Sequence, residues 1–142
     1  VERTQVSPPR PSDVPIDLRI DGHDRIGGFG DHGGGPVLWV SDDDGSSWAP
    51  RPLPTPALAD PWFETLPDGR FAVAGVAPRA GHPDWPTVWA SDDGGLTWSE
   101  PTYLGQDADP PVFVGDLDDL APLTDGAWLS LGEGALVRTA PR

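Results

Sequence analysis

Apolar residues along this chain come in short bursts. Runs such as Val37-Leu-Trp-Val40, Phe71-Ala-Val-Ala74, Thr87-Val-Trp-Ala90 and Leu136-Val-Arg-Thr139 are separated by stretches rich in Gly, Pro and Asp. The longest run free of both Gly and Pro, Val37 to Asp44, has eight residues, and an average helix needs about 11–12. Interior Pro and Gly cost a helix about 3 and 1 kcal/mol, which excludes a helical bundle. The pattern predicts an all-β chain of short strands near 16–20, 25–30, 36–41 and 48–53, then 61–66, 70–76, 87–91 and 98–104, then 117–123, 127–132 and 135–139.

These strands fall into repeated units. Ser41-Asp-Asp-Asp-Gly-Ser-Ser-Trp48 and Ser91-Asp-Asp-Gly-Gly-Leu-Thr-Trp98 share the octapeptide pattern Ser-x-Asp-x-Gly-x-(Ser/Thr)-Trp at a spacing of 50 residues. Each follows a Trp-bearing apolar run and precedes a Pro-containing segment. Leu66-Pro-Asp-Gly-Arg-Phe-Ala-Val73 likewise resembles Leu123-Thr-Asp-Gly-Ala-Trp-Leu-Ser130, with an Asp-Gly turn between apolar runs that signals a hairpin. Four antiparallel strands per unit of roughly 50 residues is the arithmetic of a β-propeller blade. The expected organisation is a lead-in over residues 1–13, then a partial propeller over 14–142 with blades near 14–54, 59–104 and 113–142. Propellers close with about 4–8 blades, so these three belong to a larger ring completed by further blades or by other copies.

Composition changes the picture in two ways. Pro (19) and Gly (18) make up about a quarter of the 142 residues, a level that without a period signals disorder. Seven Trp, four Phe and 37% hydrophobic residues nevertheless supply a core once strands bring them together. The net charge of −14 repels phosphate backbones and anionic lipid, which argues against nucleic-acid and membrane-surface partners. No run approaches the 18 apolar residues of a membrane span. The chain has no Cys, which removes disulfides, thiolate metal sites and cysteine nucleophiles. It also has no Met, which suggests a processed product or an excerpt of a longer chain. The absence of Lys, with abundant Ala, Gly, Pro, Asp and Arg, hints at a GC-rich bacterial source.

The octapeptide itself suits a tight turn. Ser41 and Ser91 are placed to hydrogen-bond locally, and the carboxylates of Asp43 and Asp93 to accept from turn N–H groups. Gly45 and Gly95 permit a positive φ, Ser47 and Thr97 complete the polar set, and Trp48 and Trp98 bury a large ring under the turn. The Asp-x-Asp-x-Asp-Gly order and distal Glu of a helix–loop–helix calcium site are absent. His23, His32 and His82 lack the spacing or Cys partners of a metal site, so no metal and no cofactor is expected.

The octapeptide resembles the Asp-box, the bacterial neuraminidase repeat found in sialidases and other propellers. The likeness covers residues 36–54 and 86–104 and, through the repeat, most of 14–140. It implies a six- or seven-bladed propeller with the boxes on the periphery, away from any active site. In sialidases an acid/base Asp precedes the box Trp by 17–18 residues, and Asp31 stands 17 before Trp48. The resemblance therefore makes Asp31 the acid/base candidate, a loop carboxylate able to protonate a leaving oxygen once its pKa is raised. Arg25 and Glu64, the latter on a first-of-blade strand facing the central channel, are the substrate-binding candidates. Neither Arg19-Ile20 nor Arg25-Ile26 carries the Pro of the family's Arg-Ile-Pro strand. The expectation is a portion of a secreted, bacterial exo-sialidase-like glycoside hydrolase, inactive alone. The alternative is a non-catalytic propeller that binds a glycan or a protein partner.

Overall fold

A computed structural model describes residues 16–79, 81–106, 118–132 and 135–140. The lead-in expected over residues 1–13 lies outside them. Among the described residues there are eleven strands and no helix: β1 (Ile16–Ile20), β2 (Ile26–His32), β3 (Gly35–Ser41), β4 (Ala49–Arg51), β5 (Ala59–Thr65), β6 (Phe71–Arg79), β7 (His82–Ser91), β8 (Thr102–Tyr103), β9 (Asp119–Pro122), β10 (Trp128–Gly132) and β11 (Ala135–Thr139). They form three antiparallel sheets in chain order, β1-β2-β3-β4, β5-β6-β7-β8 and β9-β10-β11, and none closes on itself.

The strands lie near where the sequence pattern predicts them, with two differences: the β6–β7 hairpin is longer than expected, 71–79 and 82–91 against 70–76 and 87–91, and the closing strands are shorter. The last strand of each four-stranded sheet is shorter than expected, 49–51 against 48–53 and 102–103 against 98–104. Proline explains both. Pro50 is accommodated because β4 is an edge strand, but Pro52 and Pro54 offer no N–H to extend the ladder. Beyond the second octapeptide, Ser99 pairs with Ala90, its N–H donating to the Ala90 carbonyl at 2.8 Å. Pro101 then interrupts the ladder, and pairing resumes at Thr102 opposite Val88.

The second sheet is the middle layer of a stack. Phe71, Val73 and Ala77 on β6 join Phe29, Leu38 and Val40 of the first sheet in one buried cluster that also holds Phe63 and Trp89. The intervening Ala72 and Ala74 turn the other way and meet Leu120 and Trp128 of the third sheet, together with Val88 and Leu104. Because both faces of β6 are covered, Phe71 to Ala77 is one uninterrupted buried run and not an alternating one.

The first interface is tight enough to require a missing side chain. Phe63 stacks at tilted angles on Phe29 and Phe71, with centroids 5.6 and 4.9 Å apart. A Cβ on Gly27 would lie 2.7 Å from the tip of Phe63 and 3.0 Å from that of Phe71. Gly27→Ala is therefore expected to overpack the interface and cost about 1–3 kcal/mol, read as a lower denaturant midpoint at unchanged slope.

Turns of one design join the first two strands of every sheet. Leu66 and Leu123 each open a five-residue turn in which their N–H donates to the carbonyl four residues on, Arg70 or Ala127, both at 2.8 Å. The same bond runs from Asp21 to Arg25 at 3.0 Å, so Asp21–Arg25 is the third copy. Its positive-φ position holds Asp24 (φ 61°) where the others hold Gly69 (87°) and Gly126 (82°). The Asp21–Arg25 and Leu66–Arg70 turns touch, the Gly22 N–H donating to the Gly69 carbonyl at 2.7 Å.

Candidate functional site

The two octapeptides build the same hydrogen-bonded clasp. In the first, Ser41 Oγ donates to Asp43 Oδ1 at 2.8 Å and accepts from the Gly45 N–H at 2.8 Å. Asp43 then accepts from the Ser47 N–H at 2.7 Å and the Ser47 hydroxyl at 2.6 Å. In the second, Ser91 donates to Asp93 at 2.7 Å and accepts from the Gly95 N–H at 2.8 Å. Asp93 accepts from the Thr97 N–H at 2.9 Å and the Thr97 hydroxyl at 2.5 Å. Gly45 and Gly95 both sit at φ 83°, which lets the chain fold back over the serine. Ser41 and Ser91 are buried, so each hydroxyl is satisfied within its own turn.

These bonds hold both carboxylates ionised. Hydrogen bonds from the Ser47 hydroxyl and N–H and from the Ser41 hydroxyl pull Asp43 below its usual value. At Asp93 burial pushes upward, but the hydroxyl and N–H of Thr97 and the hydroxyl of Ser91 outweigh it and hold the group at about 2. A folded-state pKa depressed below the ordinary 3.8 gives stability that is present above that value and lost as pH falls towards about 2. The gap in melting temperature between the wild type and Asp93→Asn, whose amide donors face the Thr97 hydroxyl, is accordingly expected to narrow between roughly pH 4 and pH 2. A gap that stays constant over that range would assign the loss to packing instead.

The turns differ in what lies beneath them. Trp48 folds back on its own turn, its indole N–H donating to the Gly45 carbonyl at 3.0 Å. Trp98 reaches across to the first sheet, donating to the Pro52 carbonyl at 3.1 Å, and packs half-buried against the core cluster there. A Cβ on Gly95 would come within 2.9 Å of Leu38. Arg25 completes the seat: its Nε donates to Asp21 Oδ2 at 2.6 Å and its Nη2 to the Asp92 carbonyl at 2.7 Å.

The residues expected to bind and react are therefore dispersed. Arg25 lies at the octapeptide end of the first sheet, with its guanidinium engaged by a turn and a loop carbonyl. Asp31 is exposed at the opposite end, where β2 turns into β3 opposite Pro36. Six residues of extended chain separate the two, roughly 20 Å. Glu64 on β5 forms a two-pronged pair with Arg19 on β1, at 2.8 and 3.3 Å. The backbone of Arg19 is level with Gly27 on β2, four residues along that strand from Asp31. Beside Asp31, the His32 ring meets Trp39 edge-on at 5.4 Å. Among the described residues no cluster of three or more His, Asp or Glu could hold a metal ion.

Elsewhere, Arg79 lies over the rings of Tyr103 and Trp85, at 4.2 and 5.0 Å from their centroids. Trp62 packs against the cluster between the second and third sheets.

No family model matches the chain, and no curated protein matches it. No helix among the described residues is long and apolar enough to cross a membrane.

Proposed function

We propose that this chain is a segment of a larger β-propeller of the Asp-box, sialidase-like kind, each sheet being one blade, and that by itself it binds and supports but does not hydrolyse. The observation that carries the reading is the seating of the second octapeptide on the first sheet: one repeat unit clasps its neighbour, as a ring of blades requires. Three sheets stacked face to face in chain order support it too. The engagement of the Glu64 carboxylate by Arg19 supports the non-hydrolytic half, because it leaves Glu64 paired and not poised beside the acid/base candidate. A parent that cleaves glycans would assemble its nucleophile and arginines from other blades around Asp31. The sialidase likeness also brings with it a secreted, bacterial setting.

A fluorogenic sialoside tests this. The 142-residue chain is expected to give no turnover above buffer. In a longer reading frame that is active, Asp31→Ala should abolish turnover while Arg25→Ala should chiefly lower stability. Turnover by the chain alone would overturn the non-hydrolytic reading, and full activity in the Asp31→Ala parent would remove Asp31 from the site.

A further inference from the structure

We propose that Arg79, held on the rings of Tyr103 and Trp85 near the tip of the β6–β7 hairpin, is the receptor for a small organic carboxylate. The first two sheets are copies of one unit, so what the second adds to the first is not required by the fold. Ser41 pairs with Ile26 as Ser91 pairs with Phe71. Counting back from each serine puts Gly35 and Trp85 at the same position, and the first hairpin then closes with Gly33-Gly34 where the second has residues 78–84. Leu38 likewise pairs with Arg51 as Val88 pairs with Thr102, so Tyr103 takes the position of Pro52. The cation and both rings beneath it are therefore peculiar to the second unit. Insertions in one copy of a repeat map to loops on one face, often the binding face.

The parts are held in place. Trp85 is buried and its indole N–H donates to the Leu104 carbonyl at 2.9 Å, while Tyr103 pairs with Thr87. The ladder changes register between Ala77 and Arg79, an irregularity of the kind that re-aims a side chain. The guanidinium then lies 4.2 Å from the Tyr103 centroid and 5.0 Å from that of Trp85. Stacking occupies a face of the guanidinium and leaves its in-plane N–H groups, the ones that grip a carboxylate in two parallel bonds. Arg19, Arg25, Arg70 and Arg138 spend theirs on carboxylates of the chain, and Arg51 has its Nε buried. Among the described residues no carboxylate pairs with Arg79 and no acceptor takes its N–H groups. In a chain with 23 acids, an arginine stacked on two rings and paired with none of them is a preorganised anion site. The net charge of −14 disfavours polyanions, so the ligand is an acid with a single carboxylate. Tyr103 is half-buried and leaves part of its ring for the apolar body of that acid.

The inference rests on the comparison of the two sheets and not on the glycan reading, so a sialoside assay does not bear on it. The test is a titration of the 142-residue chain with sodium benzoate at constant ionic strength, followed by NMR of the Arg79 Nε–H and the Trp85 indole N–H. Both signals are expected to move along one saturable curve, while benzamide, the neutral counterpart, leaves them in place. Arg79→Lys keeps the charge but not the planar fork and should bind benzoate about tenfold more weakly. Its melting temperature should stay near that of the wild type, since the first sheet closes the same hairpin without an arginine. An unsaturable shift, an equal response to benzamide, or undiminished binding by Arg79→Lys would overturn the proposal. Tighter binding of inorganic phosphate than of benzoate would overturn it too, because the site would then select a tetrahedral anion.

Discussion

Phe71→Ala is expected to lower stability by about 3–5 kcal/mol, the range for deleting a buried aromatic ring. Phe71 is fully buried and stands at the start of the longest buried run among the described residues. Its ring meets Phe63 at 4.9 Å, and its backbone pairs with Thr65 on one side and Ser91 on the other. Truncation therefore removes contacts from the interface between the first two sheets and loosens the support of the second octapeptide. Against a typical total of about 5–15 kcal/mol, the loss leaves a variant close to its unfolding threshold. The guanidinium midpoint, followed by tryptophan fluorescence, should fall by a large fraction of its wild-type value. A shift of less than about 1 kcal/mol would mean that the two sheets do not share this core.

Trp98→Ala carries the second-largest expected effect, about 2–3 kcal/mol, below the full cost of a buried indole because the ring is only half-buried. It loses packing on the core shared by the first two sheets and the bond to the Pro52 carbonyl. The residues on either side of that contact are separated by 46 positions in the chain, so the loss falls on the association of sheets and not on the local turn. Trp48→Ala should cost distinctly less, since Trp48 answers to the Gly45 carbonyl of its own turn.

Much of this architecture was legible in the sequence because its parts are local. Ser, Asp, Gly and Ser/Thr in the octapeptide bond to one another within four residues, so their spacing survives as a pattern. The Asp-Gly turns at Asp68 and Asp125 were readable for the same reason. Their partner at Asp21–Arg25 was not, because Asp24 takes the left-handed position that Gly usually marks. The long-range contacts left no trace. The contact of Arg25 with Asp92, 67 positions away, and the pairing of Glu64 with Arg19 across 45 positions have no signature in the spacing of the sequence. The separation of Arg25 from Asp31 follows from β2 alone, since six residues of strand cannot bring them together.

The second octapeptide locks its own sheet to the first. Thermal unfolding of Trp98→Ala beside Trp48→Ala tests this most directly, because the two residues occupy the same position in the same motif and only Trp98 is seated on a neighbouring sheet. Trp98→Ala is expected to melt several degrees below Trp48→Ala. Equal losses, or a greater loss at Trp48, would show that the octapeptide is a local turn and nothing more.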